Sequence, residues 1–213
     1  MTTEFIYDAV VVGGGPAGAT AAQTLAQKGK QVLLLDKRGR IKPCGGAIPP
    51  RLIKDFQIPD ELLVAKAKSA RMVSPLGKTV DIPIENGFVG MVDRSHFDEW
   101  LRQRAVAAGA TREDGLFENL TREGPYARIY YRTRGARDGD HGSLKSVLAK
   151  AVIGADGAKS QVGRSAGVQG CAEANYVFAY HEIIKTPSNA PNSFDASRCD
   201  VLYQKPVSPD FYG

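Results

Sequence analysis

The chain has 213 residues, 43% of them hydrophobic and 24% charged, with a net charge of +5 at pH 7. That length allows one large or two modest domains with a real core, and no apolar run approaches the roughly 20 residues that cross a bilayer. Three scattered cysteines, Cys44, Cys171 and Cys199, and three widely spaced histidines, His96, His141 and His181, form neither a disulfide framework nor a ligand pattern, so no metal and a reducing compartment are expected.

In chain order, the stretch YDAVVVG opens at Tyr7, close enough to Met1 to leave no room for a signal or transit peptide, and a cytoplasmic bacterial product is expected. Tyr7 to Val12 reads as a buried strand that stops at Gly13-Gly14-Gly15-Pro16, where proline suits a first helical turn. Ala17, Ala21, Ala22 and Leu25 recur at helical spacing up to Lys28, Gly29 closes the helix, and QVLLLD forms a second strand. This is a βαβ unit. A basic patch of Lys28, Lys30, Lys37, Arg38, Arg40 and Lys42 surrounds one acid, Asp36. It reads either as a solvated surface or as an attraction for a polyanionic ligand. Nucleic acid is not expected, because no interleaved aromatics or binding motif accompany the charge.

PCGGAIPP, Pro43 to Pro50, is a loop that places a thiol between a proline and two glycines. Pro49 to Phe56 reads as a short helix, and ARMVSPLGKTVDIPI as two strands joined by a Pro-Leu-Gly turn. Phe97, Trp100, Leu101, Ala105 and Ala108 mark one face of a helix from about Ser95 to Gly109, with Asp93 or Ser95 able to cap it. A strand near Leu116, a second at Ala127 to Arg134 and a hairpin tip at GARDGDHG follow. The apolar run AKAVIGADG ends in an Asp-Gly turn, and NYVFAYHEII and CDVLYQ are later strand candidates. The pattern predicts an α/β core with added antiparallel strands.

Gly13, Gly15 and Gly18 make G-x-G-x-x-G between strand and helix, with Asp36 ending the second strand. In this setting the first glycine permits the tight turn, the second lets backbone approach a pyrophosphate, and the third lets helix pack on strand. Amides at the helix start, around Pro16, Ala17 and Gly18, then face phosphate oxygens. Asp36 is placed to accept hydrogen bonds from a ribose and would repel a 2′-phosphate, so the dinucleotide is FAD or NAD rather than NADP, with Lys37 beside it.

Two later segments, VDRSHFDEWL and GADGAKSQVGRSAG, resemble landmarks of the flavoprotein family that includes para-hydroxybenzoate hydroxylase. The resemblance implies that Arg94 contacts FAD and that Asp156 and Gly157 lie near its pyrophosphate and ribitol. On chemistry alone, Arg94 is a suitable bidentate donor to anionic oxygens or an exposed arginine, and Asp156 beside glycine could simply make a turn. Within that family the chain looks most like geranylgeranyl reductases of the chlorophyll and bacteriochlorophyll type, on VVVGGGPAGATAA, RIKPCGGAIPPRLI, GFVGMVDRSHFDEWL, IGADGAKSQVGR and SPDFYG.

The resemblance implies stepwise reduction of isolated C=C bonds in a geranylgeranyl chain to phytyl, the chain being carried on a pigment ring or as the diphosphate. FAD is the implied bound carrier and NADPH the implied reductant. A prenyl lipid or geranylgeranylated pigment is the implied substrate, and peripheral membrane contact is compatible with it, although no amphipathic anchor is visible. The oligomeric state is not legible. The expected fold class is a Rossmann-type FAD-binding domain, residues 1–69 and 94–170, with an incomplete antiparallel β substrate domain, residues 70–93 and 171–213. The family continues through a Tyr-x-Trp-x-Phe-Pro motif, so a chain ending at Tyr212-Gly213 is expected to be an amino-terminal portion.

In that family the Cys44 loop runs beside flavin and substrate, which makes Cys44, Gly45 and Gly46 the candidate catalytic residues, with Cys44 and Gly45 also touching cofactor. Glycines at 45 and 46 would let backbone approach a flavin ring. Three readings of Cys44 stand: a proton relay, a polarizable wall that shapes the alkene's approach, and a buried small hydrophobe. Two other functions compete with the reductase, an aromatic-ring monooxygenase of the same fold and a non-catalytic flavin-binding fragment.

Overall fold

The computed structural model describes residues 4–37, 44, 46–85, 87–133, 142–171, 180, 182, 188–189, 194–205 and 207. In chain order the elements are β1 (Ile6–Val12), α1 (Pro16–Gln27), β2 (Val32–Asp36), β3 (Ala47–Ile48), α2 (Pro50–Asp55), β4 (Leu63–Ala67) and β5 (Ser69–Val73). They continue with β6 (Thr79–Pro83), β7 (Val89–Val92), α3 (Arg94–Ala107), β8 (Thr111–Glu123), β9 (Tyr126–Thr133), β10 (Leu144–Gly154), α4 (Gln161–Ser165) and β11 (Arg198–Leu202). The chain divides into two compact units, Met1–Ile41 with Asp98–Phe178, and Lys42–Phe97 with Ala179–Gly213.

The first unit is built on strands that serve twice. β1 pairs in parallel with β2 on one side and with Leu148 to Gly154 of β10 on the other. β2 pairs in parallel with Thr111 to Asp114 of β8. The remaining parts of β8 and β10 leave this parallel layer and flank β9 in an antiparallel meander. β8 and β10 are therefore continuous through both layers, and the hydrogen-bonded order β1-β10-β9-β8-β2 closes on itself.

Alternation along β1 and β2 fills a core on each face of the parallel layer. Val10, Val12, Leu33 and Leu35 pack with Phe117, Ile129, Tyr131, Ala149 and Val162 between the two layers. Val11, Val32 and Leu34 point the other way, against Ala22 and Ala26 of α1, Ala105 of α3 and Ala110. The buried stripe of α1 is Gly18, Ala19, Ala22 and Ala26, all small, which lets the helix axis come close to the strands. The sequence pattern had suggested Ala17, Ala21, Ala22 and Leu25. Ala17 is instead exposed on the first turn, because the stripe is set by where Gly18 meets the glycine turn.

In the second unit β3 and β4 both pair antiparallel with β7, and β5 lies between β6 and β11 in a separate sheet. The predicted Pro-Leu-Gly turn joins β5 to β6: Ser74 N–H donates to the Lys78 carbonyl at 2.8 Å and Gly77 N–H to the Ser74 carbonyl at 2.9 Å. The structural division differs from the boundary expected after residue 69, since the pairing of β3 and β4 with β7 groups the segment from Lys42 with the second unit. CDVLYQ supplies most of β11, whereas NYVFAYHEII, apart from Tyr180 and Glu182, and GARDGDHG, apart from Gly142, lie outside the described residues. Among the described residues no helix is long and apolar enough to cross a membrane.

Candidate dinucleotide site

The glycine turn begins where β1 runs out. Gly13 N–H donates to the Leu35 carbonyl at 2.8 Å, and Ala155 N–H to the Val12 carbonyl at 2.8 Å, so the ends of β2 and β10 hold it from both sides. Gly13 has φ +105°, and a Cβ there would run into the Ala155 carbonyl. At Gly18 a Cβ would strike the Gly13 carbonyl. These two glycines are required by the fold itself.

Gly15 is different, because a Cβ there would meet none of the described residues within 4 Å. It is the N-cap of α1, with no side-chain cap, Pro16 as first helical residue and no acid in the first turn. The helix start therefore offers amide donors and a positive dipole end to open space, with no carboxylate in that turn to repel an anion. A glycine that no described residue requires, standing as the N-cap of a helix without a side-chain cap, fits the pyrophosphate of a dinucleotide.

Asp36 ends β2 beside this turn and is held by a residue that sequence reasoning missed. Arg102 of α3 donates its Nε–H to the Gly14 carbonyl at 2.9 Å and lies 3.1 Å from Asp36 Oδ2. Its Nη1 donates to Glu99 Oε2 at 2.9 Å, and Arg112 forks onto Glu99 with bonds of 2.6 and 3.0 Å. Asp114 stands 4.0 Å from Arg112. The two Arg112 bonds, helped by Arg102, outweigh the effect of burial and hold the Glu99 carboxyl at about 2, against 4.5 for an ordinary glutamate. Glu99 in turn raises the pKa of Arg112. The signal for this chain of charges was the i,i+3 spacing of Glu99 and Arg102 on one helix face, but nothing local says which element that face meets.

The Asp156 carboxylate is engaged within its own loop. Oδ1 accepts from Ser160 Oγ at 2.6 Å, and Oδ2 accepts from the amides of Gln161 and Val162 at 2.6 and 3.0 Å. Its backbone nevertheless adjoins the glycine turn, since a Cβ on Gly13 would lie 3.0 Å from Asp156 N. Gly157 follows with φ +90°, and a Cβ there would meet none of the described residues within 4 Å. Gly13, Gly15, Pro16, Ala17, Gly18, Asp36, Asp156 and Gly157 are thus all in the first unit.

Cys44, Gly46 and Arg94 belong to the second unit. Arg94 is the first residue of α3, which Asp93 caps by accepting from Ser95 N at 2.8 Å and Ser95 Oγ at 2.6 Å. Cys44 is an exposed free thiol; Pro43 and Gly45 lie outside the described residues. Gly46 has a reason for being glycine that the sequence did not disclose. Its φ is +71°, a Cβ would strike the Val92 carbonyl, and its own carbonyl accepts from Val92 N–H at 3.0 Å. Among the described residues no group of three or more His, Cys, Asp or Glu side chains is arranged to hold a metal ion.

A βαβ glycine turn, an uncapped helix start and an acid ending the second strand define a dinucleotide-binding α/β protein. Residues 6–206 match the FAD binding domain family, and the chain belongs to it. It is 56% identical over 207 residues to the geranylgeranyl diphosphate reductase of Rhodobacter capsulatus, covering 97% of this chain and 51% of that protein. It is 36% identical over 211 residues to the chloroplastic geranylgeranyl diphosphate reductase of Arabidopsis thaliana, covering 95% of this chain and 44% of that protein. Among solved structures, a geranylgeranyl bacteriochlorophyll reductase-like protein of Thermoplasma acidophilum superposes with a TM-score of 0.74 at 25% identity, over 94% of this chain and 51% of that one. The chain spans about half the length of these relatives.

Proposed function

We propose that this chain supplies the FAD-holding part of a geranylgeranyl reductase, which saturates isolated C=C bonds of a geranylgeranyl chain with NADPH as reductant. The observation that carries the reading is the 56% identity over 207 residues, 97% of the chain, to a reductase of that name. Bound FAD supplies hydride chemistry, each double bond taking up one hydride and one proton as NADPH becomes NADP⁺.

The chain's own contribution is placement. Gly15 and the start of α1 receive the pyrophosphate, and Asp36 receives the ribose. The Asp36 carboxylate opposes a 2′-phosphate at this subsite, and Arg102 is already engaged by Asp36, Glu99 and the Gly14 carbonyl. An unconjugated alkene has no carbonyl to polarise, so alignment and exclusion of water dominate the task. We assign Cys44, an exposed free thiol, to that alignment, as a polarizable wall beside the alkene. Access to the lipid by peripheral membrane contact belongs to the same proposal.

The test is to purify the chain, add FAD, and follow flavin absorbance and fluorescence quenching. NADPH and geranylgeranyl diphosphate are then supplied and the prenyl product is weighed by mass spectrometry. The expected result is a yellow protein and a product heavier by two hydrogens per double bond reduced. A chain that takes up no FAD, or one whose NADPH oxidation requires a phenolic acid and oxygen, would overturn the reading.

A further inference from the structure

The acid that ends the second strand does not stand alone in this chain, and its partner does more than balance charge. Arg102 is anchored at both ends: Nε reaches the Gly14 carbonyl and Asp36 Oδ2, and Nη1 reaches Glu99, which Arg112 holds from the other side. The Arg102 and Asp36 side chains are only 15% and 16% exposed, so water screens this pair less than a surface ion pair. A guanidinium is planar with its donors in a fixed fork, and fixing it at Glu99 also fixes the direction it presents to Asp36 and Gly14.

We propose that Arg102 is a positioning residue of the dinucleotide site: by engaging one Asp36 oxygen and the Gly14 carbonyl together, it sets the carboxylate against the glycine turn in the orientation that receives the adenosine ribose. Glu99 and Arg112 act behind it. The inference rests on the FAD reading and deepens it, since it names what makes Asp36 selective. An Asp36 freed from Arg102 could rotate, and its hydrogen bond to a ribose hydroxyl would then carry an ordering cost the parent does not bear.

The experiment measures FAD affinity by fluorescence quenching, and competes ADP and 2′-deoxy-ADP against FAD, for the parent, Arg102→Gln, Arg102→Lys, Glu99→Gln, Asp36→Asn and the Asp36→Asn/Arg102→Gln pair. The parent should prefer ADP to 2′-deoxy-ADP by roughly tenfold, the usual worth of a charge-assisted hydrogen bond. Arg102→Gln should bind FAD about tenfold more weakly and lose most of that preference, Glu99→Gln should fall between it and the parent, and Arg102→Lys should recover part of the preference. Adding Arg102→Gln to Asp36→Asn should cost little more, because the two act as one unit.

If Arg102→Gln keeps the parent's preference while Asp36→Asn loses it, the inference is wrong and the FAD reading stands. A parent chain that binds neither FAD nor ADP removes the FAD reading and the inference with it. Should Arg102→Gln fail to fold, Arg102→Lys and Glu99→Gln give the same readout, and an unchanged preference in both overturns the role.

Discussion

Gly14 faces Asp36 so closely that no side chain fits between them: a Cβ on Gly14 would stand 2.5 Å from Asp36 Oδ2. The position between the first two motif glycines, open to any residue in the general pattern, is closed in this chain. Gly14→Ala should displace the carboxylate and weaken FAD binding by about tenfold, with unfolding midpoints in urea lowered by overpacking worth about 1–3 kcal/mol. Fluorescence titration and urea melts check both; an alanine that leaves both unchanged would contradict the contact.

The second and third motif glycines should separate ligand from fold. Gly18→Ala drives a methyl into the Gly13 carbonyl, which is backbone and cannot rotate away, so destabilisation of about 2 kcal/mol or more is expected without any cofactor. Gly15→Ala enters open space with φ −72°, a conformation alanine adopts freely. Its stability should change by less than about 1 kcal/mol, the difference between these residues at an N-cap. FAD affinity should nonetheless fall at least tenfold, by roughly 1.4 kcal/mol or more. Melts with and without FAD distinguish the two variants.

How much of this was legible beforehand depends on whether the signal was local. β1, the glycine turn, α1 and β2 follow one another in sequence, so the elements, the turn residues and the terminal acid read correctly from one short stretch, and only the buried stripe of α1 was misplaced. Arg102 was not legible, because its partners Gly14 and Asp36 are brought to it only by packing of α3 on the sheet. Short strands such as β3 were missed for want of length: two residues carry no period. Asp156 sits between these cases. Its Asp-Gly turn was readable, but its grip on the amides of α4 needed the course of the chain after Gly157.

Glu99 gives a pH signature. Its folded-state pKa, about 2, lies below the ordinary 4.5, so its stabilising contribution is complete above about pH 4.5 and is lost as the pH falls toward about 2. With the side chain 38% exposed, screening leaves that contribution at roughly 1 kcal/mol. Urea denaturation should show parent above Glu99→Gln at pH 7, with the gap closing substantially by pH 3. A gap equal at both pH values would mean that the ionised carboxylate is not its source.

Asp156→Ala removes the acceptor for one hydroxyl and two amides at the start of α4. A loss of about 1–2 kcal/mol is expected, the upper part of the range for a helix cap. Hydrogen exchange at the Gln161 and Val162 amides should accelerate more than at the β1 amides. Equal acceleration everywhere would place the effect outside the cap.

Cys44→Ala tests the role assigned to the thiol. The variant should keep FAD, because the glycine turn and Asp36 belong to the other unit, while the rate, or the distribution of partly reduced prenyl products, changes. Mass spectrometry of the products decides it. A variant with the parent's rate and the same order of double-bond reduction would leave Cys44 without a part in the reaction.

The continuity of β8 and β10 through two layers has a consequence for how the cofactor cradle survives thermal agitation. A cradle resting on an independent parallel sheet could fray by itself, whereas here the strands flanking β1 and β2 extend into a meander whose separation would expose Ile129 and Tyr131. Fraying of the parallel layer beneath the glycine turn is therefore coupled to the opening of a second packed layer, so both should exchange their amides as one cooperative unit.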